Sequence, residues 1–211
     1  MGKLNEKKAN SDELYNWCMK EYNSRNPISR QLIKNFYSII EKEIISSIKS
    51  EISDILEIGC GAGESSLRIQ KMLNGINYVA SEYDLRYIEA INRKGLPIKV
   101  IQENVYNLTQ SNSSFDCVIM LEVLEHLENI SLALSELFRV SKKYVIISVP
   151  NEPLWRFCNL IRGKYIFQFG NTPGHINHFN RRKLIMSVSP FTSDIHFFYA
   201  FPWIIMLAKK R

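Results

Sequence analysis

The fold is decided by the stretch Leu56-Glu57-Ile58-Gly59-Cys60-Gly61-Ala62-Gly63-Glu64. A short apolar run precedes its three alternating glycines, and a helix-like segment, 65–73, follows them. Glycine tolerates positive φ, and without a side chain it lets a ligand approach the backbone N–H groups at a helix N-terminus. We therefore predict a strand, a tight ligand-binding turn and a helix in direct succession.

The spacing of these glycines indicates the kind of ligand. A dinucleotide-binding turn has the pattern G-x-G-x-x-G, with its last glycine five residues after the first. Here Gly63 follows Gly59 after four residues, and the next residue is Glu64. Because an anionic side chain at a helix N-terminus repels a pyrophosphate, the turn favours a nucleoside without phosphate groups.

Predicted strands and helices alternate on both sides of this turn. The strands are predicted at 54–58, 77–81, 98–102, 115–121 and 144–149, with intervening helices at 65–73, 85–93 and 131–140. This order is typical of a parallel sheet covered by helices on both faces. Further along, a helix is predicted at 181–188, and two strands at 195–201 and 203–209, joined at Pro202.

The remaining segments are less regular. Residues 1–12 are polar and are predicted to be disordered, and residues 13–49 are predicted to form two helices, the second starting near Pro27. Residues 151–180 are rich in aromatic residues, Asn, Gly and His, with no sustained period. We see no internal repeat and no low-complexity segment.

Composition predicts a cytoplasmic, single-domain globular protein. The chain has 211 residues, of which 45% are apolar and 23% charged. The N-terminus is too polar for a signal peptide, and the longest apolar run, 197–208, is too short to span a bilayer. The cysteines lack the spacing of a zinc site or a C-x-x-C pair, which favours free thiols in a reducing compartment; they are Cys18, Cys60, Cys117 and Cys158.

Positive charge is concentrated in the last quarter of the chain. Residues 155–211 contain nine Lys or Arg residues and a single acid, Asp194. Such a segment suggests an anionic partner: a phosphorylated or carboxylated substrate, a lipid surface or a nucleic acid. A merely solvated basic face is the alternative.

Two stretches carry a resemblance to a known family. The glycine-rich stretch resembles the first motif, E-x-G-x-G-x-G after a strand, of the class I S-adenosylmethionine-dependent methyltransferases. Residues 115–127 resemble the F-D-x-V-x-x-x-x-x-L-E-H-L pattern of its small-molecule members. The resemblance covers roughly residues 52–150 and the closing strands. It implies a Rossmann-like α/β fold with a seven-stranded, mostly parallel sheet, helices on both faces and a C-terminal antiparallel hairpin.

The resemblance also implies S-adenosylmethionine as cofactor, with S-adenosylhomocysteine as product. By this resemblance Glu57 lies near the methionine part, and Glu82 accepts hydrogen bonds from both ribose hydroxyls, with Asp84 as its alternative. Asn104 takes the place of the usual Asp that accepts from the adenine amino group, with Glu103 as its alternative. The predicted cofactor-binding residues are Glu57, Gly59, Cys60, Gly61, Glu82, Tyr83, Asn104, Val105 and Leu121.

The acceptor side is less defined. We expect an N-terminal helical cap at 1–50 and a methyltransferase domain at 51–211, with 151–180 as an insertion on the substrate side. Because methyl transfer is a direct displacement, a base is needed only to deprotonate the acceptor. We predict that His175 or His178 is this base or orients the acceptor; the alternative is that both fasten a loop. Tyr22, Asn26 and Arg30 are further candidates from the predicted cap.

We therefore predict methyl transfer to a small molecule, anionic or lipid-like, without a metal. One alternative is a metal-assisted RNA 2′-O-methyltransferase, because Glu122, Glu125, His126 and a later histidine, His178, resemble the metal-binding set of those enzymes. Another alternative is a cofactor-binding protein without catalysis. We expect no nucleic-acid partner and no transmembrane segment. Peripheral contact with a membrane is compatible with the sequence, and the oligomeric state is left open.

Overall fold

The computed structural model describes residues 9–23, 26–73 and 75–211 of the chain. Its centre is one sheet built from β1 (Asp54–Ile58), β2 (Asn77–Glu82), β3 (Lys99–Gln102), β4 (Phe115–Leu121), β5 (Ser141–Pro150), β6 (Asp194–Ala200) and β7 (Trp203–Lys209). The strand order is β3-β2-β1-β4-β5-β7-β6. The first five strands are parallel, and β7 pairs antiparallel with both β5 and β6. The predicted fold, a mostly parallel sheet closed by an antiparallel hairpin, is confirmed.

Helices cover both faces of this sheet. They are α1 (Ser11–Tyr22), α2 (Pro27–Ile39), α3 (Ser46–Ile48), α4 (Glu64–Met72), α5 (Leu85–Arg93), α6 (Ile130–Val140), α7 (Leu154–Ile161) and α8 (Arg181–Val188). A π-helical turn, Ile40–Ile45, joins α2 to α3, and 3₁₀ turns lie at Lys49–Glu51, Leu124–His126 and Ile166–Gln168. Among the described residues, no helix is long and apolar enough to cross a membrane.

The hydrophobic core is two layers separated by the sheet. Along β4, Cys117 and Ile119 face one layer, and Val118 and Met120 face the other, because side chains alternate along a strand. The first layer also contains residues of α2, α4 and α5, and the second contains residues of α6 and α8. Several residues of the predicted cap therefore pack in the same core as the sheet, among them Phe36, Ile40, Ile44 and Ile48.

The strand register brings the predicted motifs together. Ile58, the last residue of β1, pairs with Ser81 on β2 and with Met120 on β4. The turn after β1 therefore lies beside the carboxyl ends of both neighbouring strands. This edge, where the strand order reverses direction, is the usual ligand site of open α/β sheets.

The predicted disorder of residues 1–12 is wrong for the part that the structure describes; residues 1–8 lie outside it. Helix α1 begins at Ser11, and Ala9 is buried. The Asn10 side chain accepts a hydrogen bond from the Glu13 N–H, and the Glu13 carboxylate accepts one from the Asn10 N–H, each at 3.0 Å. This reciprocal pair is a capping box, which the spacing of Asn10 and Glu13 could have indicated. The second helix starts at Pro27, as predicted.

The segment 151–180 contains a helix that the sequence analysis did not predict. Helix α7 has eight residues, Leu154–Ile161, which is too few for a period to stand out. Its buried residue is the polar Asn159, whereas Leu154, Phe157, Leu160 and Ile161 are exposed. This distribution reverses the pattern of a core-facing helix, and for this reason periodicity did not reveal it.

Candidate functional site

The glycine-rich turn has the left-handed backbone that its sequence predicts. Gly59, Gly61 and Gly63 have φ values of +77°, +52° and +82°. A Cβ atom on Gly59 would lie 2.5 Å from Cγ2 of Val123, so packing requires a glycine there. At Gly61 the nearest atom to an added Cβ is the Cys18 Sγ at 3.9 Å, so this position opens onto space that a ligand can fill.

Glu82 connects this turn to the end of β2. Its Oε2 accepts a hydrogen bond from the Gly61 N–H at 2.9 Å, and its Oε1 accepts from the backbone N–H groups of Tyr83 and Asp84 at 2.7 and 3.0 Å. The alternative, Asp84, caps α5 by accepting from the Arg86 N–H and also binds the Arg86 guanidinium. Glu82 therefore lies at the turn, whereas Asp84 is engaged at the helix terminus.

Two cavities lie along the turn. The first, of about 190 Å³, lies between the turn and the N-terminal helices and is lined by Cys18, Tyr22, Ile33, Phe36, Tyr37, Gly59, Cys60, Gly61, Ser65, Leu121, Glu122 and Trp203. The second, of about 540 Å³, lies at the ends of β2, β3 and β4 and is lined by Ile58, Gly59, Ser81, Glu82, Tyr83, Glu103, Asn104, Val105, Tyr106, Glu122, Val123, His126, Leu127 and Glu128. Both cavities share Gly59 and Glu122. Every predicted cofactor-binding residue except Glu57 lines one of them.

Glu57 lies behind the turn. It is 1% exposed, and its Oε2 accepts hydrogen bonds from the hydroxyls of Ser66 and Tyr78, the latter at 2.8 Å. Burial raises the pKa of the Glu57 carboxyl, and the neighbouring hydroxyl donors oppose this. The carboxylate therefore joins β1 to α4 and β2, a position from which it supports the turn.

At the end of β3, the two candidate side chains have different surroundings. The Glu103 carboxylate is buried and accepts from the N–H and hydroxyl of Thr109, at 2.8 and 2.6 Å, and from the Gln110 amide at 2.8 Å. It thereby fastens the following loop. Asn104 is exposed at the second cavity, and its Oδ1 accepts from the Tyr106 N–H at 3.0 Å.

An acidic pair follows β4. Glu122 has a φ of +59°, a strained conformation for a non-glycine residue, and its Oε1 accepts from the Ser148 hydroxyl at 2.7 Å. Burial raises the pKa of Glu122 to about 7. Burial and the nearby Glu122 carboxylate raise the pKa of Glu125 well above its usual value. Strain and raised pKa values in one place are characteristic of functional sites.

Glu125 lies in a cluster with two histidines. Ligand atoms of Glu125, His126 and His175 all lie within 4.8 Å of one another. The Glu125 Oε2 and the His175 Nδ1 are buried and have no hydrogen-bond partner among the described residues. The pKa of His175 is lowered to about 4, mainly by burial and to a smaller extent by the nearby His126 and His178. Its imidazole is therefore neutral at neutral pH. Two imidazole nitrogens and a carboxyl oxygen are a donor set that divalent transition metals bind.

His178 is not a member of this cluster. Its Nδ1 lies 3.8 Å from the Glu152 Oε1, and its side chain is 41% exposed. Of the alternative metal set predicted from the sequence, Glu125 and His126 lie in this cluster, Glu122 and His178 do not, and His175 joins it. The cause is backbone pairing, since the Glu125 carbonyl accepts from the N–H groups of Ile176 and Asn177 and so brings His175 inward.

The candidates from the N-terminal segment separate in a similar way. Tyr22 lines the first cavity. The Asn26 side chain caps α2 by accepting from the Ile28 and Ser29 N–H groups, and Arg30 lines neither cavity. Sequence reasoning missed the aromatic wall of the first cavity, in which the rings of Phe36 and Trp203 lie 5.1 Å apart. Only the meeting of α2 with β7 creates this wall.

Comparison with known proteins agrees with this architecture. Residues 56–148 match the model of a protein family described as Methyltransferase domain. A ubiquinone biosynthesis O-methyltransferase from Rickettsia canadensis is 36% identical over 98 residues, which is 44% of this chain and 39% of the relative. An uncharacterized protein from Methanocaldococcus jannaschii is 32% identical over 160 residues, 72% of this chain and 57% of the relative. The chain thus spans between 39% and 57% of the length of these curated relatives.

Solved structures with the same fold are more distant in sequence. A SAM-dependent methyltransferase from Methanosarcina mazei superimposes with a TM-score of 0.61 at 21% identity, covering 80% of this chain and 97% of that one. The magnesium protoporphyrin IX methyltransferase from Synechocystis PCC 6803, solved with bound SAH, gives a TM-score of 0.67 at 14% identity, covering 93% and 94%.

The sheet and its glycine-rich turn thus define a Rossmann-like α/β protein. More narrowly, residues 56–148 match the methyltransferase domain family, and this match supports a class I S-adenosylmethionine-dependent methyltransferase. The cofactor of this family is S-adenosylmethionine.

Proposed function

We propose that this protein transfers the methyl group of S-adenosylmethionine to a hydroxyl oxygen of a small, lipid-like acceptor. The observation that carries the proposal is the pair of cavities that meet at Gly59 and Glu122. The name of its relatives from two Rickettsia species and from Dictyostelium discoideum, ubiquinone biosynthesis O-methyltransferase, supports an oxygen acceptor. An anionic small molecule, which the sequence also predicted, is the second type of acceptor that we propose.

The residues of the second cavity suit a nucleoside. Glu82 has two oxygens at the cavity wall, and such a fork can accept hydrogen bonds from two neighbouring ribose hydroxyls. The Asn104 side chain and Val105 line the same cavity, and a side-chain amide can pair with the adenine edge. Gly61 leaves room for the ligand because it has no side chain. When bound, the cofactor supplies an electrophilic methyl group on a sulfonium ion.

The residues of the first cavity suit the sulfonium group of the cofactor. Its aromatic wall, with Phe36, Tyr37 and Trp203, excludes water around a cationic sulfonium and can attract it through the ring faces. We further propose that His175 accepts the acceptor proton or orients the acceptor, because its Nδ1 is buried without a partner. His178 remains the second candidate for this role.

Calorimetry with S-adenosylhomocysteine tests the cofactor part of the proposal. Glu82→Ala removes the two side-chain oxygens that would accept hydrogen bonds from the ribose and should weaken binding roughly tenfold to a hundredfold. The control Glu43→Ala removes an exposed acid outside both cavities and should leave binding unchanged. Equal affinities for the two variants would refute the assignment of Glu82.

Methyl transfer itself is tested with labelled S-adenosylmethionine and a series of phenols and catechols, with and without an alkyl chain. We expect His175→Ala to lower kcat by about a hundredfold or more if this residue is the base. An unchanged kcat in both His175→Ala and His178→Ala would exclude the histidines. Binding of the cofactor product without methyl transfer to any acceptor would favour the non-catalytic alternative.

A metal-assisted reaction is the second candidate, and the cluster of Glu125, His126 and His175 favours it. The buried, unpaired Oε2 of Glu125 and Nδ1 of His175 fit a divalent cation, which would polarise an acceptor hydroxyl of a small molecule or of a ribose. Activity should then disappear in EDTA and return with added metal. Full activity in EDTA, together with no calorimetric signal for Mn²⁺ or Zn²⁺, would exclude this candidate.

A further inference from the structure

The segment that contains α7 exposes many large apolar side chains. Residues 154–169 run from the start of α7 through the 3₁₀ turn at Ile166–Gln168. The exposed fractions in this segment reach 96% for Phe167, 77% for Phe169, 69% for Ile161 and 61% for Phe157. Leu154, Leu160 and Ile166 are exposed as well. We call residues 154–169 the apolar surface segment. Contiguous exposed apolar side chains of this size mark an interaction site.

This segment is firmly attached to the protein beneath it. The Trp155 indole N–H donates to the Thr172 hydroxyl at 2.9 Å, and the Asn159 amide donates to the Gly170 carbonyl at 2.9 Å. An added Cβ on Gly170 would lie 2.2 Å from the Arg156 carbonyl oxygen, so the chain packs closely at this point. The apolar side chains are therefore held outward by a fastened scaffold.

Helix α7 buries a polar side chain and exposes apolar ones, which is the reverse of a helix on the surface of a water-soluble protein. Trp155 and Asn159, four residues apart, face inward, while Leu154, Phe157 and Ile161 follow the outer face at helical spacing. A polar residue on the buried side and a continuous apolar stripe outside are typical of a helix whose outer face is covered by a nonpolar phase.

Charge indicates which partner covers this surface. The apolar surface segment contains Arg156, Arg162 and Lys164 and no acidic residue. Aromatic and aliphatic side chains interspersed with cations match the interface of an anionic lipid bilayer. In a symmetric dimer through this surface, the three cations of one copy would face those of the other, which disfavours self-association.

We propose that residues 154–169 dock this protein onto the surface of an anionic lipid bilayer. Phe157, Ile161 and Phe167 enter the interfacial region, while Arg162 remains at the level of the lipid phosphates. The position is suited to a lipid-like acceptor, because Trp155 also packs on Trp203, with ring centroids 5.5 Å apart, and Trp203 lines the first cavity. Docking itself does not depend on the proposed methyl transfer.

Co-sedimentation of the full chain with vesicles tests the proposal. The probes are vesicles of phosphatidylcholine alone and vesicles of phosphatidylcholine mixed with an equal amount of phosphatidylglycerol. We expect binding to the mixed vesicles, weakened by added salt. The double variant Phe157→Ser/Phe167→Ser should lose roughly a hundredfold in affinity, and Arg162→Glu about 25-fold, on these vesicles. The control Ile28→Ser removes an apolar side chain that is 69% exposed on α2 and should bind as the unmodified protein does.

Two further measurements make the outcome decisive. Binding of S-adenosylhomocysteine by every variant would show that each is folded. If the unmodified protein does not bind S-adenosylhomocysteine, that result would count against the proposed function and not against docking. The proposal is overturned if the protein ignores both kinds of vesicle, or if the double variant binds them as well as Ile28→Ser does. It is also overturned if light scattering reveals a dimer that the double variant abolishes while no vesicle binding occurs.

Discussion

At the scale of single residues, Gly61 has the most direct bearing on the ligand. Its N–H donates to Glu82, its φ is +52°, and the space where a side chain would be is open. A side chain here would suffer the cost of a left-handed backbone and would also occupy the first cavity. The glycine thus combines a conformational requirement with a steric one.

The substitution Gly61→Arg separates these two requirements when it is compared with Gly95→Arg. Gly95 has a φ of +60° and no neighbouring atom within 4 Å of an added Cβ, and it lines neither cavity. Both variants should lose about 1 kcal/mol of unfolding free energy or more because of the backbone. Only Gly61→Arg should abolish calorimetric binding of S-adenosylhomocysteine. Retained binding in Gly61→Arg would mean that the ligand lies elsewhere.

Two acidic residues that neighbour predicted ligand residues have different roles in the structure. Asp84 and Glu103 are each one or two residues from a predicted ligand residue, and both are carboxylates. In the structure, Asp84 caps a helix, and the Glu103 carboxylate accepts three hydrogen bonds from the loop that follows it. Sequence spacing leaves such pairs unresolved because it does not reveal which backbone donors approach each side chain.

At the scale of elements, the ion pair between Glu136 and Arg139 on α6 makes further hydrogen bonds that join this helix to the loop before β4. The Glu136 carboxylate accepts from the Arg139 guanidinium at 2.7 and 2.8 Å and from the Leu108 N–H at 2.8 Å. Arg139 also donates to the carbonyls of Leu108 and Gln110. The Arg139 guanidinium beside Glu136 holds the pKa of that carboxyl below its usual value.

This arrangement predicts a pH dependence of stability. Because the pKa of Glu136 is lower in the folded than in the unfolded state, its stabilisation is fully present above the unfolded value of about 4.5 and is lost as the pH falls through the folded value. Glu136→Gln should lower the free energy of unfolding by about 1–3 kcal/mol at pH 7 and by less near pH 3, as measured by urea denaturation. The exposed control Glu43→Gln should have little effect at either pH. An equal loss at both pH values for Glu136→Gln would contradict the ion-pair explanation.

At the scale of the whole molecule, the ligand edge of the sheet is covered by helices from the start of the chain. The first cavity is bounded by Cys18 and Tyr22 of α1, by Phe36 and Tyr37 of α2, and by Trp203 of β7. Elements distant in sequence therefore enclose one space. A ligand in this space should stabilise the elements around it more than those elsewhere.

Hydrogen exchange measures this coupling directly. With saturating S-adenosylhomocysteine, amides of α1, of α2 and of the turn at 59–63 should exchange more slowly, whereas those of α8 should be unaffected. Helix α8 is the internal control because it packs in the opposite core layer from α2 and lines neither cavity. Protection confined to the turn would indicate that the N-terminal helices do not close on the ligand.

The sequence by itself determined the sheet, most of its helices and the methyl-donor motifs. Strand β4 and helix α5 have the predicted bounds, since apolar alternation and helical period are local properties of the chain. The tertiary structure alone decided that His175 joins Glu125 and His126, and that α7 turns its apolar face outward. These features depend on which distant segments meet: the Glu125 carbonyl pairs with residues some fifty positions away, and Thr172 fastens Trp155. Local patterns do not encode such contacts, because they are fixed only when the layers pack together.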